Sequence, residues 1–312
     1  MIDMEKKSFN GLSVDFGRIH LKNPVIACSG TFAQGLEYND IYDISCLGAI
    51  TTKSFTLKER KGNIPPRIWE TACGMLNSIG LQNKGIDFFI ESELPRIKET
   101  NAIVILSIAG EDIEEFVKIS KKIISIENDL MAVELNFSCP NVKAGGMAFC
   151  EVPEQLNKVT RAVNNVLGVP LIAKLSPNFS TSVEAAMAAK DGGAEAISLV
   201  NTMLGAAFDI ESFKPRLGSV TGGLSGPAIK PVAIAKVYEL AKEKILPIIG
   251  MGGIFNWKDA IEFMVAGASA VGIGTVNFVE VDSGHRIIEG IREYMKRKKF
   301  YDIGKIIGKA VD

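Results

Sequence analysis

Histidine is scarce in this chain: His20 and His285 are the only two in 312 residues. A mechanism built on a histidine base therefore has few candidates. Cysteine is sparse and scattered. Cys28, Cys46, Cys73, Cys139 and Cys150 form no Cys-x-x-Cys pair and no cluster with zinc or iron–sulfur spacing. An odd count argues against a disulfide framework. No apolar run reaches the roughly 18 residues that a membrane-spanning helix needs. Met1–Asn10 lack the apolar stretch of a signal peptide. An excess of charge is missing too: 35 Lys+Arg stand against 36 Asp+Glu, a net of −1. Neither nucleic acid nor an acidic membrane surface is expected as a partner. No low-complexity segment or linker divides the chain. These absences lead us to expect a soluble, cytoplasmic protein of one domain, residues 1–312, without a metal site.

What is present is a repeating pattern. Hydrophobic residues make up 47%, enough for a large core without staples. Short β-prone runs occur at Pro24–Ala27, Ala49–Thr52, Ile103–Leu106, Ala132–Leu135, Leu171–Ala173, Ala196–Leu199, Pro247–Ile249 and Ala270–Ile273. Amphipathic helical stretches lie between them, among them Asp112–Ile126, Pro153–Leu167, Ser182–Asp191 and Ile229–Lys244. Eight βα repeats predict a closed (β/α)8 TIM barrel, with a doubly wound sheet as the rival. Val14–Phe16 and Ile19–Leu21 flank Gly17-Arg18 and predict a small hairpin before the barrel. Two intervals, Lys53 to Asn101 and Asn201 to Thr221, are long for barrel connections and are expected to be rim loops that serve a site.

Polar residues follow the predicted strands at once: Ser29, Lys53, Ser107, Asn136, Lys174, Asn201-Thr202, Gly252-Gly253 and Gly274-Thr275. All fall on the C-terminal rim, where barrel enzymes place their sites. Strand ends are often polar because loops are. Two lysines are harder to explain that way, since each ammonium must be hydrated or paired. Gly250-Met251-Gly252-Gly253 and Gly272-Ile273-Gly274-Thr275 end adjacent strands. Glycines there let backbone N–H groups approach an anion, with a following helix N-terminus adding positive partial charge, so the pair predicts phosphate binding. Asn136-Phe137-Ser138-Cys139-Pro140-Asn141 sets a thiol between two amides. The amides suit an imide or amide substrate, and a thiol of lowered pKa can accept a proton. Cys28 and Cys46 fit better as small buried hydrophobes.

Residues 136–146, Asn-Phe-Ser-Cys-Pro-Asn-Val-Lys-Ala-Gly-Gly, resemble the signature of class 1B dihydroorotate dehydrogenases. So do Gly-Met-Leu-Asn-Ser-Ile-Gly-Leu-Gln-Asn at 74–83 and Thr-Gly-Gly-Leu-Ser-Gly-Pro-Ala-Ile-Lys-Pro at 221–231. The resemblance runs from about Leu12 to Phe278. It implies FMN across the barrel mouth, its phosphate on Gly252, Gly253, Gly274 and Thr275 with Gly226 nearby. Ser29, Lys53, Ser54, Ser107, Asn136, Lys174 and Val200 match the other flavin positions. One departs: the family usually has Asn where this chain has Ser107, whose shorter side chain leaves room for a bridging water. The resemblance also implies that Lys53, Asn77, Ser78, Ile79, Gly80, Leu81, Asn136, Asn141, Asn201 and Thr202 hold dihydroorotate. Cys139 matches the base that removes the C5 proton while hydride leaves C6 for the flavin, a step of pyrimidine (UMP) biosynthesis.

Cys139 separates the chain from the membrane-associated class, which uses Ser there. The Val-Lys-Ala-Gly-Gly continuation favours NAD-linked class 1B over fumarate-using class 1A. No strand–Gly-x-Gly-x-x-Gly–helix unit is present to bind NAD. The resemblance therefore implies a partner subunit carrying FAD and a 2Fe-2S cluster, in a heterotetramer of two catalytic and two electron-transfer chains around a homodimer core. Class 1A is the alternative. More distant rivals are another flavin-dependent reductase, an aldolase using Lys53 or Lys174 as Schiff base, and a phosphate-ligand binding module.

Overall fold

The computed structural model of the chain describes residues 11–137, 152–178 and 182–311. The predicted hairpin comes first, β1 (Val14–Phe16) paired antiparallel with β2 (Ile19–Leu21). Arg18 at its turn donates from Nε to Glu195 Oε1 at 2.8 Å, tying the hairpin to the chain just before a barrel strand. β3 (Val25–Ala27) and β4 (Ala49–Thr51) begin the barrel. β5 (Ile68–Thr71) and β6 (Gly74–Asn77) form an excursion. β7 (Val104–Ile108), β8 (Ala132–Asn136), β9 (Leu171–Lys174) and β10 (Ala196–Leu199) return to the barrel. β11 (Met203–Ala206) and β12 (Thr221–Ser225) make a second excursion, and β13 (Ile248–Met251) and β14 (Ala270–Ile273) complete the ring.

The order β10-β13-β14-β3-β4-β7-β8-β9 is closed, and the neighbours pair in parallel. This is the (β/α)8 TIM barrel, and closure rules out the doubly wound sheet. Both faces of each barrel strand are covered, which is why the strands read as continuous apolar runs rather than as alternating ones. The helices supply the outer layer. Ile113–Ile123 buries Phe116, Ile119 and Ile123 on one face, and Asp112 caps it by accepting from the Glu115 backbone N–H at 2.8 Å. Among the described residues no helix is long and apolar enough to cross a membrane.

Two expectations need correction. The long intervals are not merely loops: β11-β12-β6-β5 form a four-stranded antiparallel sheet above the barrel, with Gly223 paired to Asn77. Glycine has low strand propensity, so Thr-Gly-Gly-Leu-Ser and Gly-Met-Leu-Asn do not read as strands. Ser107, Asn136 and Lys174 also lie within β7, β8 and β9 rather than after them. Their polar ends meet Ser54 and Glu134 inside the barrel, so the strands continue through them.

Candidate active site at the barrel mouth

A cavity of about 330 Å³ opens at the C-terminal ends of the barrel strands, roofed by residues of the antiparallel sheet. Its size is that of a small-molecule site. The sequence-predicted residues Ser29, Lys53, Ser54, Asn136, Lys174 and Val200 all line it. So do Gly226, Gly252, Gly253, Gly274 and Thr275 at one end, and Asn77, Ile79, Gly80, Leu81, Asn201 and Thr202 beneath the added sheet. Segments far apart in sequence thus converge because each ends a barrel strand or belongs to the sheet laid over it.

Two predicted residues do not line the cavity. Ser78 is fully buried and turned away, its hydroxyl receiving Asn63 Nδ2 at 2.9 Å and bonded to Ser219 Oγ. Ser107 lies one layer below the floor, with Oγ 2.8 Å from Ser54 Oγ. Cys139 and Asn141 fall outside the described residues.

The floor is a polar network. Asn136 Nδ2 donates to Ser54 Oγ at 2.9 Å, and Ser29 Oγ is 3.5 Å from the same oxygen. Beneath them sits Glu134, a residue that sequence reasoning misses. Its carboxylate accepts from Ser107 Oγ at 3.1 Å and Ser198 Oγ at 2.8 Å, and it pairs with Lys174 Nζ at 3.5 Å. The available signal is an acid in the otherwise apolar run Ala132–Leu135, two residues before Asn136 and so on the same strand face.

The second cation behaves differently. Lys53 is half-buried, and among the described residues no acceptor lies within hydrogen-bond distance of its ammonium. Loss of hydration holds its pKa below the ordinary lysine value, with nearby Glu93 pulling the other way. Lys53 can therefore receive an anion. Asn77, Asn136 and Asn201 add carboxamides around it. Asn77 Nδ2 donates to Gly223 O at 3.2 Å, and Asn201 Oδ1 accepts from the Thr202 backbone N–H at 2.8 Å.

The glycine end lines the cavity as expected, but the helix expected to add positive partial charge there is already capped. The helix after β13, Trp257–Val265, is capped by Asn256 and Asp259 in a reciprocal box, so its first N–H groups are already occupied. The strand β14 leads only into a short 3-10 turn, Thr275–Phe278. A second helix start, Pro227–Ile229 continuing into Lys230–Glu243, borders the glycines; it has no side-chain cap, but its N–H groups are bonded too, Ala228 N–H to Cys73 O at 3.0 Å and Ile229 N–H to Gly226 O at 3.1 Å. Gly253 packs directly on it. With φ +79°, a Cβ there would stand 2.8 Å from Lys230 N and 2.9 Å from Gly226 O. Thr275 Oγ1 donates to Ser225 Oγ at 2.8 Å and joins the two glycine segments. Cys28 also lines the cavity, but burial pushes its thiol up to about 12, consistent with a small hydrophobe.

The sequence model of the family described as dihydroorotate dehydrogenase matches residues 11–295. The chain is 50% identical over 297 residues to "Dihydroorotate dehydrogenase B (NAD(+)), catalytic subunit" of Thermoanaerobacter sp. (strain X514), covering 95% of this chain and 98% of that one. It is 47% identical to the protein of the same name from Bacteroides thetaiotaomicron, with the same coverage. Among solved structures, DHODH from Eimeria tenella in complex with ferulenol superposes with a TM-score of 0.79 at 20% identity, covering 99% of this chain and 91% of that one, and shares the fold. Fold, barrel-mouth cleft and sequence agree: the chain belongs to the dihydroorotate dehydrogenase family.

Proposed function

We propose that this chain oxidises (S)-dihydroorotate to orotate in pyrimidine biosynthesis, as the cytoplasmic catalytic subunit of an NAD-linked enzyme. The observation that carries the reading is one cleft lined by Gly226, Gly252, Gly253 and Gly274 at one end, with the half-buried Lys53 ammonium within it. The residues fit FMN. Gly226, Gly252, Gly253, Gly274 and Thr275 would hold its phosphate, and Ser29, Ser54, Asn136, Lys174 and Val200 would surround the rest. When bound, FMN supplies the acceptor for the hydride that leaves substrate C6. Lys53 offers its charge to the substrate carboxylate. The amides of Asn77, Asn136, Asn201 and, we propose, Asn141 give the imide edge both donors and acceptors. Cys139, three residues after Asn136, takes the proton from C5. Ser78 supports the roof from behind rather than touching substrate, and Ser107 supports the floor through Ser54. Fixing the substrate by several rigid contacts supplies the orientation that a two-bond oxidation needs.

We propose that the electrons leave through a separate subunit carrying FAD and a 2Fe-2S cluster, in a heterotetramer with two copies of this chain. The scattered cysteines and the lack of a dinucleotide-binding turn in the sequence support this, as does the phrase "catalytic subunit" in the relatives' name. The test compares acceptors. The isolated chain should oxidise dihydroorotate with a dye but reduce NAD negligibly until the partner is added. Rapid fumarate-dependent turnover by the chain alone would refute the NAD-linked assignment.

A further inference from the structure

Inside the barrel, below the cavity floor, a carboxylate and an ammonium are buried together. Glu134 and Lys174 have side-chain exposures of 3% and 6%, and Lys174 Nζ stands 3.5 Å from Glu134 Oε1. The register accounts for the meeting. Asn136 of β8 pairs with Lys174 of β9, Ser107 of β7 with Glu134, and Ser198 of β10 with Lys174. Four adjacent strands thus contribute to one polar layer where barrels ordinarily stack branched apolar side chains. Such a pair is a poor device for stability, because an apolar pair of equal volume usually serves a core as well or better. Its presence calls for another reason.

The reason lies in what the ammonium faces. Lys174 lines the cavity on one side and meets Glu134 on the other. Lys53, the other cation of the cavity, has no such partner among the described residues. A lone ammonium in this buried floor would favour negative charge on a bound ring, and burial strengthens that bias. Glu134 offsets it from beneath. Ser107 and Ser198 each donate to one of its two oxygens and hold it in place. Ser107 Oγ also reaches Ser54 Oγ, which receives Asn136 Nδ2, so the same carboxylate anchors the polar surface of the floor.

We propose that Glu134 is a positioning residue whose charge, acting through Lys174, lowers the reduction potential of the flavin bound above it. This rests on the proposed FMN site. It also suits an enzyme that must pass electrons on toward NAD: an unopposed cation would retain them on the reduced flavin. Ser107, where the family usually has Asn, becomes intelligible as a hydroxyl that serves the carboxylate below rather than the ligand above.

The test measures the flavin, not turnover. Wild type, Glu134→Gln and Glu134→Asp are purified with FMN, and their midpoint potentials and sulfite affinities are determined. Sulfite is a suitable probe because positive charge beside the ring favours its addition. Glu134→Gln keeps a side chain of the same shape without the charge. It should raise sulfite affinity at least tenfold and shift the two-electron equilibrium by at least tenfold toward reduction, about 30 mV upward. Glu134→Asp keeps the charge but draws it away from Lys174, and should move both readouts in the same direction by a smaller factor. It also keeps the idea testable if Glu134→Gln does not fold. Yellow variants with wild-type potentials, or with lowered ones, would overturn the proposal alone. Wild-type protein that binds no FMN would overturn the flavin reading, and this proposal with it.

Discussion

Gly253→Ala is the sharpest perturbation of the proposed phosphate site. Gly253 has φ +79°, and placing an L-residue in that region costs about 1–2 kcal/mol. Its new Cβ would lie 2.7 Å from Lys230 Cβ, 2.8 Å from Lys230 N and 2.9 Å from Gly226 O. Two of these neighbours are backbone atoms at the start of the helix that follows β12, so relief requires the loop or the helix to move. Overpacking of this kind costs roughly 1–3 kcal/mol. Together the substitution should cost about 2–5 kcal/mol, shared between folding stability and FMN binding. If half falls on binding, the FMN Kd rises by roughly 5- to 70-fold, because about 1.4 kcal/mol is tenfold. The assay is FMN titration of apoprotein by fluorescence quenching, with a thermal melt of the same samples. Two controls separate the causes. Gly308 has φ +73° but nothing within 4 Å of where an added methyl group would stand, so Gly308→Ala should lower stability and leave FMN affinity alone. At Gly274 the nearest atom to an added Cβ is 3.8 Å away, so Gly274→Ala should spare the apoprotein and weaken FMN only if the ligand occupies the cavity there. Wild-type FMN affinity and melting in Gly253→Ala would refute the proposed site.

Lys53→Met should weaken orotate binding by about 1.5–3 kcal/mol, the scale of a charged hydrogen bond, measured by flavin difference spectra. Desolvation lowers the pKa of Lys53, and an anionic ligand needs the protonated form. Orotate affinity should therefore fall as pH rises through that lowered pKa, before the ordinary lysine value of 10.5 is reached, and Lys53→Arg should remove this alkaline limb. Alkylation mapped by mass spectrometry should find exposed Cys73 modified at mildly alkaline pH while Cys28, its thiol pushed up to about 12 by burial, stays unmodified. Rapid labelling of Cys28 in folded protein would contradict its place in the core.

The barrel is legible in the sequence because buried parallel strands must be apolar on both faces, and eight such runs alternate with helices. The hairpin at Gly17-Arg18 is legible from its turn. The antiparallel sheet is not: its strands carry Gly222, Gly223 and Gly74, which mimic loops, and its central pairing, β12 with β6, joins segments more than a hundred residues apart. At the site, strand-end position brings Lys53, Lys174 and the glycines together, and all line the cavity. Position alone does not tell which side chains point up and which down, so it groups Ser107 with the cavity lining although it sits below the floor, and the resemblance does the same with Ser78, which is turned away. Glu134 escapes because a single acid in an apolar run has no meaning until its neighbours on adjacent strands are known. The helix starts beside the glycines also depend on three-dimensional detail, since only the structure shows that the N–H groups at Trp257 are capped by side chains and those before Lys230 by backbone carbonyls.

The most direct measurement of the central claim is anaerobic mixing of the FMN-loaded chain with (S)-dihydroorotate, without partner or external acceptor, while flavin absorbance and orotate are followed. The yellow colour should bleach with one orotate formed per flavin, and Cys139→Ala should retain FMN but bleach at least ~10²-fold more slowly, as expected for loss of a general base. Yellow wild-type protein that dihydroorotate leaves oxidised would contradict the claim.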